Sequence, residues 1–118
     1  MAEEKLELQF KDGGLLPAVV QDHGSGEVLM VGYMDPEAVR RTQRDGTVWF
    51  WSRSRKEYWH KGDTSGNFLY VRELWTDCDA DVVLVRAEPA GPTCHTGARS
   101  CFFNRMETAV GAPASTAG

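Results

Sequence analysis

No apolar run in the sequence approaches the roughly 20 residues that span a bilayer, so no membrane-crossing helix is expected. Positive charge is not in excess: 13 Lys and Arg stand against 17 Asp and Glu, a formal net charge of −4. A general nucleic-acid binder would show a basic domain, so nucleic acid is not an expected partner. A local basic pocket for a small anion stays open. The opening MAEEKLELQF carries acids where a secretory signal would carry bases ahead of an apolar stretch, which makes the cytoplasm the expected location. Cysteine is scarce, and three is an odd count, so a disulfide framework is not expected. Cysteines in such a chain are read as metal ligands or as groups that do chemistry. Also missing are the phosphate loop G-x-x-x-x-G-K-[ST], the dinucleotide fingerprint and the H-x-E with P-C-x-x-C of zinc deaminases.

What is present is an ordinary globular composition. The 118 residues are 42% hydrophobic and 25% charged, enough for one domain with a core. Glycine and proline divide the chain into short pieces without internal repeats. Leu6 to Phe10 reads as a strand, with Asp12-Gly13-Gly14 as the turn after it, and Leu16 to Gln21 and Val28 to Tyr33 read as a hairpin-like pair. One helix is well signalled: Asp35 caps, Pro36 takes the first helical position, Glu37 suits the positive end, Arg40, Arg41 and Arg44 suit the negative end, and Gly46 stops it. Thr47 to Ser52, Phe68 to Thr76 and Asp81 to Ala87 read as further strands, and Phe102 and Phe103 as a last short one. Arg53 to Asn67 and Glu88 to Arg99 read as polar loops. The expected fold is mainly β, α+β with one short helix, over residues 1–106, followed by a disordered tail over 107–118.

The stretch Asp77-Cys78-Asp79-Ala80-Asp81 runs straight into Val82-Val83-Leu84-Val85. On an extended chain successive side chains alternate between faces, so Asp77, Asp79 and Asp81 are expected to crowd one face with Cys78 on the other. A hard divalent cation such as Mg2+ relieves that repulsion, because it prefers oxygen ligands. A solvated acidic strand end would give the same pattern. Cys94 and Cys101 follow Cys78 at gaps of sixteen and seven residues, unlike the paired C-x-x-C of a structural zinc site. Three thiolates can hold zinc with the fourth position open, and the bound water then becomes acidic enough to act as a nucleophile. Buried apolar cysteines are the plainer alternative. His95 would be either the fourth ligand, closing the site, or a proton shuttle.

An anion has its natural place in the segment from Trp51 to Asn67. Arg53, Arg55, Lys56 and Lys61, several hydroxyls, Gly62 and Gly66 fall within seventeen residues of an otherwise acidic chain. Arginine forks and loop N–H groups suit phosphate. Trp49, Trp51 and Trp59 flank the segment and could stack on a purine or simply pack.

WSRSRKEYWHKGDTSGN, DCDADVVLV and GPTCHTGARSCFF, in that order, with GYMDPEAVRRT upstream, resemble the phosphoribosyl-AMP cyclohydrolase family of histidine biosynthesis over roughly residues 16 to 105. The resemblance implies hydrolytic opening of the purine six-membered ring of phosphoribosyl-AMP. It implies Zn2+ on Cys78, Cys94 and Cys101, Mg2+ on Asp77, Asp79 and Asp81, and catalysis by His95. It also implies a twisted, barrel-like fold completed in an intertwined homodimer, with Cys78 from one subunit and the other two thiolates from its partner. The substrate carries two phosphates, for which Arg53, Arg55, Lys61 and Ser65 are the candidate contacts. Tyr58 stands where the family is expected to have an aliphatic residue. The competing reading is a non-catalytic, zinc-stapled nucleotide-binding or interaction domain.

Overall fold

A computed structural model describes residues 7–109. Its elements, in chain order, are a 3-10 turn at Asp12–Gly14, β1 Leu16–Asp22, β2 Val28–Met34, α1 Pro36–Asp45, β3 Trp49–Ser52, β4 Glu57–His60, β5 Leu69–Thr76 and β6 Val83–Pro89. Four strands form one mixed sheet in the order β2-β1-β6-β5, and β3 and β4 form a separate hairpin. β1 and β6 lie parallel at its centre, Ala18 opposite Val83 and Val20 opposite Val85. β2 and β5 run antiparallel on the outside. The sheet is open rather than closed into a barrel.

Alternation explains which face is covered. Leu16, Ala18 and Val20 of β1 and Val83, Val85 and Ala87 of β6 are buried on one face, together with Leu29, Met34, Val48, Phe50 and Leu69. Helix α1 contributes Ala38 and Thr42 to that layer. The Thr42 hydroxyl donates to Ala38 O at 2.8 Å and accepts from the Trp49 amide at 3.0 Å, so the helix is hydrogen-bonded to the hairpin that follows it. Phe50 packs so close to β2 that a Cβ added at Gly32 would lie 2.4 Å from its ring. The opposite face carries a matched row across all four strands: Val31 beside Val19, Val19 beside Leu84, and Leu84 beside Trp75. Val31 is 42% exposed and Trp75 58%.

The helix forms as its residues require. Asp35 Oδ1 accepts the Ala38 amide at 2.8 Å, Pro36 opens the first turn, and Gly46 ends it in the left-handed region at φ 72°. Arg40 and Arg41 are engaged with Glu37 one turn earlier rather than with the helix terminus.

Four expected elements differ. Leu6 lies outside the described residues, and Glu7 to Phe10 form no strand, although the Gln9 amide donates to Ala80 O at 2.7 Å. Arg53 to Asn67 is not loop throughout, because β4 lies inside it, paired from Trp49 opposite His60 to Ser52 opposite Glu57. Phe102 and Phe103 are not a strand; they are 62% and 55% exposed and pair with no strand among the described residues. Asp81 is not in β6: the segment from Asp77 to Val82 is a turn between β5 and β6. The expected tail lies mostly outside the described residues, and its first part, 107–109, is exposed. No helix among the described residues is long and apolar enough to cross a membrane.

Candidate active site

The hairpin β3–β4 sets one wall of the site. Beyond His60 the chain folds back through two tight turns, Asp63 N to His60 O at 3.0 Å and Gly66 N to Gly62 O at 2.7 Å. Gly62 sits at φ 98°, where a Cβ would lie 2.6 Å from Phe68 Cα, so only glycine lets the loop lie against β5. The second wall is the loop after β6. There Thr93 N donates to Arg99 O at 3.2 Å, Cys94 N to Ala98 O at 3.0 Å and Gly97 N to Cys94 O at 2.9 Å, closing a compact turn around His95 and Thr96. Ser100 Oγ donates to Val28 O at 2.8 Å and Cys101 N to Leu29 O at 2.8 Å, which docks the end of the loop on the outer edge of β2.

Between these walls lies a cleft of about 640 Å3, lined among others by Arg55, Trp59, Lys61, Ser65, Cys94 and His95. Three of the four expected anion contacts therefore meet there. Arg53 does not: its guanidinium lies 3.9 Å from the centroid of the Tyr33 ring, on a second, shallower hollow of about 530 Å3 that shares Ser52 and Trp59 with the first. Lys61 is 8% exposed and donates from Nζ to Thr93 O at 2.6 Å. Trp59, 40% exposed, stands between the two hollows, whereas Trp49 is packed, stacked on His60 at 4.2 Å with its indole N–H on Asp45.

Two of the three cysteines come together. The Cys94 thiol is pulled below its ordinary pKa by the hydroxyl and amide of Thr96, with the neighbouring Cys101 thiol and the Lys61 charge helping. Thr96 Oγ1 donates to Cys94 Sγ at 3.1 Å. Desolvation and the Cys94 sulfur push Cys101 the other way, so Cys94 is the more acidic thiol of the two. His95 is exposed beside them. Cys78 is exposed on the β5–β6 turn and is not clustered with this pair within the chain.

That turn gathers the carboxylates, by a different route from strand alternation. Ala80 adopts φ 60°, the Ala80 amide donates to Asp77 O at 3.0 Å, and Asp77 Oδ1 accepts the amides of Asp81 and Val82 at 3.0 and 3.2 Å. The chain curls, and one oxygen from each of Asp77, Asp79 and Asp81 falls within 4.8 Å of the others, the only cluster of this kind among the described residues. Desolvation pushes the Asp77 pKa up, but the amides of Asp81 and Val82 outweigh it and the net direction is down. The Asp79 pKa is raised by its hydrogen bond to Asp81, then by desolvation and the charge of Asp77. Three carboxylate oxygens within 4.8 Å of one another fit a hard divalent ion; two adjacent thiols, Cys94 buried and Cys101 exposed, fit part of a zinc set, with one further thiolate needed.

Residue spacing alone had not marked Thr93 or Asn67. Thr93 Oγ1 is buried without a hydrogen-bond partner among the described residues, and the Asn67 side chain fills the space over Gly91, where a Cβ would meet it at 2.5 Å. A threonine before Cys94 and an asparagine after a glycine turn carry no distinctive sequence signal.

Against known proteins, a family model for phosphoribosyl-AMP cyclohydrolase matches residues 30–103. A phosphoribosyl-AMP cyclohydrolase of Clavibacter michiganensis subsp. michiganensis is 61% identical over 93 residues, covering 79% of this chain and 70% of the relative. One from Clostridium botulinum strain 657 is 52% identical over 101 residues, covering 85% and 92%. One from Frankia alni is 54% identical over 111 residues, covering 93% and 84%.

Proposed function

The chain belongs to the phosphoribosyl-AMP cyclohydrolase family, and from that premise we propose that it hydrolyses the purine ring of phosphoribosyl-AMP in histidine biosynthesis. Water adds to the amino-bearing ring carbon, and the bond from that carbon to the ribosylated ring nitrogen breaks, leaving a formimino aminoimidazole carboxamide ribonucleotide. The observation that carries this reading is the cleft in which Arg55, Lys61 and Ser65 face the same space as Cys94 and His95. It offers cations and a hydroxyl for a phosphate beside a thiol pair and a titratable imidazole.

In this reading Arg55, Lys61 and Ser65 bind one phosphate, while the exposed indole of Trp59 offers a face for the base. Arg53, on the far side of Trp59, is left for the second phosphate. His95 takes the proton from the attacking water as general base, at a distance set by the compact turn from Cys94 to Ala98. Cys78, Cys94 and Cys101 are the residues that would hold Zn2+, which when bound supplies the Lewis acidity that makes a water nucleophilic near neutral pH. Asp77, Asp79 and Asp81 would hold Mg2+ and so offset their own repulsion.

The same reading takes the enzyme as a cytoplasmic homodimer. Its support is twofold: the third thiol, Cys78, is not clustered with the other two within one chain, and the row Val31, Val19, Leu84 and Trp75 leaves an apolar sheet face for a second copy to cover.

The test is conversion of phosphoribosyl-AMP followed by the absorbance change on ring opening, with chelated and zinc-restored protein compared. Activity lost on chelation and regained with zinc is the expected result. Full zinc occupancy and substrate binding without turnover would leave a zinc-stapled nucleotide-binding domain instead.

A further inference from the structure

We propose that Lys61 is the positioning residue that couples the anion end of the cleft to the Cys94–His95 loop, a role that rests on the cyclohydrolase reading above. A lysine only 8% exposed must satisfy its ammonium group inside the protein. Among the described residues it is in no ion pair with a carboxylate. It instead donates to Thr93 O at 2.6 Å and lies 5.4 Å from the centroid of the Trp59 ring. One of its three N–H donors is therefore spent on the protein, no carboxylate among the described residues pairs with the charge, and that charge acts on the Cys94 and Cys101 thiols.

The carbonyl that Lys61 holds belongs to the residue immediately before Cys94. The peptide unit between Thr93 and Cys94 is thus pinned from both sides, its C=O by Lys61 Nζ and its N–H by Ala98 O at 3.0 Å. With that plane fixed, the Cα of Cys94 is fixed too, and the turn that carries His95 is closed on the far side by the Gly97 amide on Cys94 O. The bracket itself is rigid at its base. The Lys61 amide donates to Val48 O at 3.1 Å, and the next residue, Gly62, is locked against the Phe68 backbone. A simple phosphate ligand would need none of this; a long side chain at the surface would do.

Hydrogen exchange on the full-length protein as purified, read on peptides covering residues 93–98 and on β1 and β6, tests the bracket beside steady-state kinetics. Lys61→Met removes the donor and the charge at similar length. The expected result is exchange at 93–98 faster by about 5-fold or more with β1 and β6 unchanged, and a fall in kcat that exceeds the change in KM. Lys61→Arg, which keeps donor and charge, is expected to retain more of the protection. Unchanged exchange in Lys61→Met, equal exchange in the Met and Arg variants, or a loss confined to KM would each overturn the proposal. Should Lys61→Met not fold, Lys61→Gln, a donor without the charge, is compared with wild type and Lys61→Arg in the same way. Failure of the wild-type protein to turn over phosphoribosyl-AMP would sink the cyclohydrolase reading alone, since the exchange comparison needs no substrate.

Discussion

Tyr58 donates its hydroxyl to Asp35 Oδ2 at 2.6 Å, while the other oxygen of the same carboxylate accepts the Ala38 amide at 2.8 Å. One carboxylate thus caps α1 and ties it to β4, 23 residues further along the chain. Arg41 closes the arrangement from above, its guanidinium 4.3 Å from the Tyr58 ring centroid and 4.8 Å from that of Trp49. Tyr58, at a position where an aliphatic residue is expected, thus has a specific polar partner.

Tyr58→Phe is expected to cost about 1 to 2 kcal/mol, the worth of a half-buried hydrogen bond to a charged acceptor, and Asp35→Ala more, since the cap is lost as well. Urea unfolding midpoints measure both. The tyrosine also gives a pH signature. Its hydrogen bond to Asp35, then burial, then the Asp35 charge raise its folded pKa above the ordinary value of 10.0. A raised folded pKa contributes stability that is present below the unfolded value and is lost as pH rises through the folded one. Wild type should therefore lose stability from about pH 10 upward more steeply than Tyr58→Phe; parallel curves would show that the bond contributes nothing.

How far the sequence disclosed this architecture can be seen at single residues. Asp35, Pro36 and Gly46 act through local rules, so the helix was legible to its ends. The β4 strand was hidden because EYWH is short and polar-flanked, and its turn closes through Lys56 in the left-handed region at φ 57°, which nothing in a lysine announces. The carboxylate cluster was foreseen for the wrong reason. Alternation along a strand predicted it, whereas a turn built on Ala80 at φ 60° produces it, and an alanine there gives no warning either. Phe102 and Phe103 have the β-prone character of a strand, yet they follow the docking of Cys101 on the edge of β2 without continuing the ladder and stay exposed. Local chemistry was readable; long-range pairing, such as Lys61 with Thr93 O, was not.

The two glycines of the cleft loop should behave differently. Gly62→Ala forces a Cβ to 2.6 Å from the Phe68 backbone at φ 98° and is expected to cost about 2 to 4 kcal/mol through overlap and strain together. Gly66→Ala meets nothing within 4 Å at φ 83°, so only the conformational penalty of about 1 kcal/mol remains. Thermal unfolding of the two variants separates packing from conformation; equal losses would mean that the contact with Phe68 is relieved by a small shift of the loop.

His95→Asn distinguishes a proton-transfer role from metal ligation. The side chain is exposed in the turn that carries Cys94. As general base its loss should lower kcat by about 10^2 to 10^4 while zinc content, measured by metal analysis after dialysis, stays at the wild-type level. Zinc lost in parallel with activity would make His95 the fourth ligand and the site a closed one.

The proposed sharing of the zinc ligands between two subunits has a sharper consequence. Cys94 and Cys101 interact within one loop, whereas Cys78 sits on the β5–β6 turn and is not clustered with them in the chain. If Cys78 reaches the pair only from the other subunit, Cys78→Ser and Cys94→Ser homodimers should each be inactive. A heterodimer of the two has one site carrying both substitutions and one site carrying none. Random assembly after co-expression makes half the dimers mixed, and each mixed dimer has one intact site of two, so activity should recover to about a quarter of wild type. Two distinct affinity tags isolate the mixed dimer, whose activity should then approach about half of wild type per dimer. A site closed within one chain could not recover at all, because every chain would lack a thiolate, and the absence of any recovery in tagged, verified heterodimer would place all three cysteines in a single subunit.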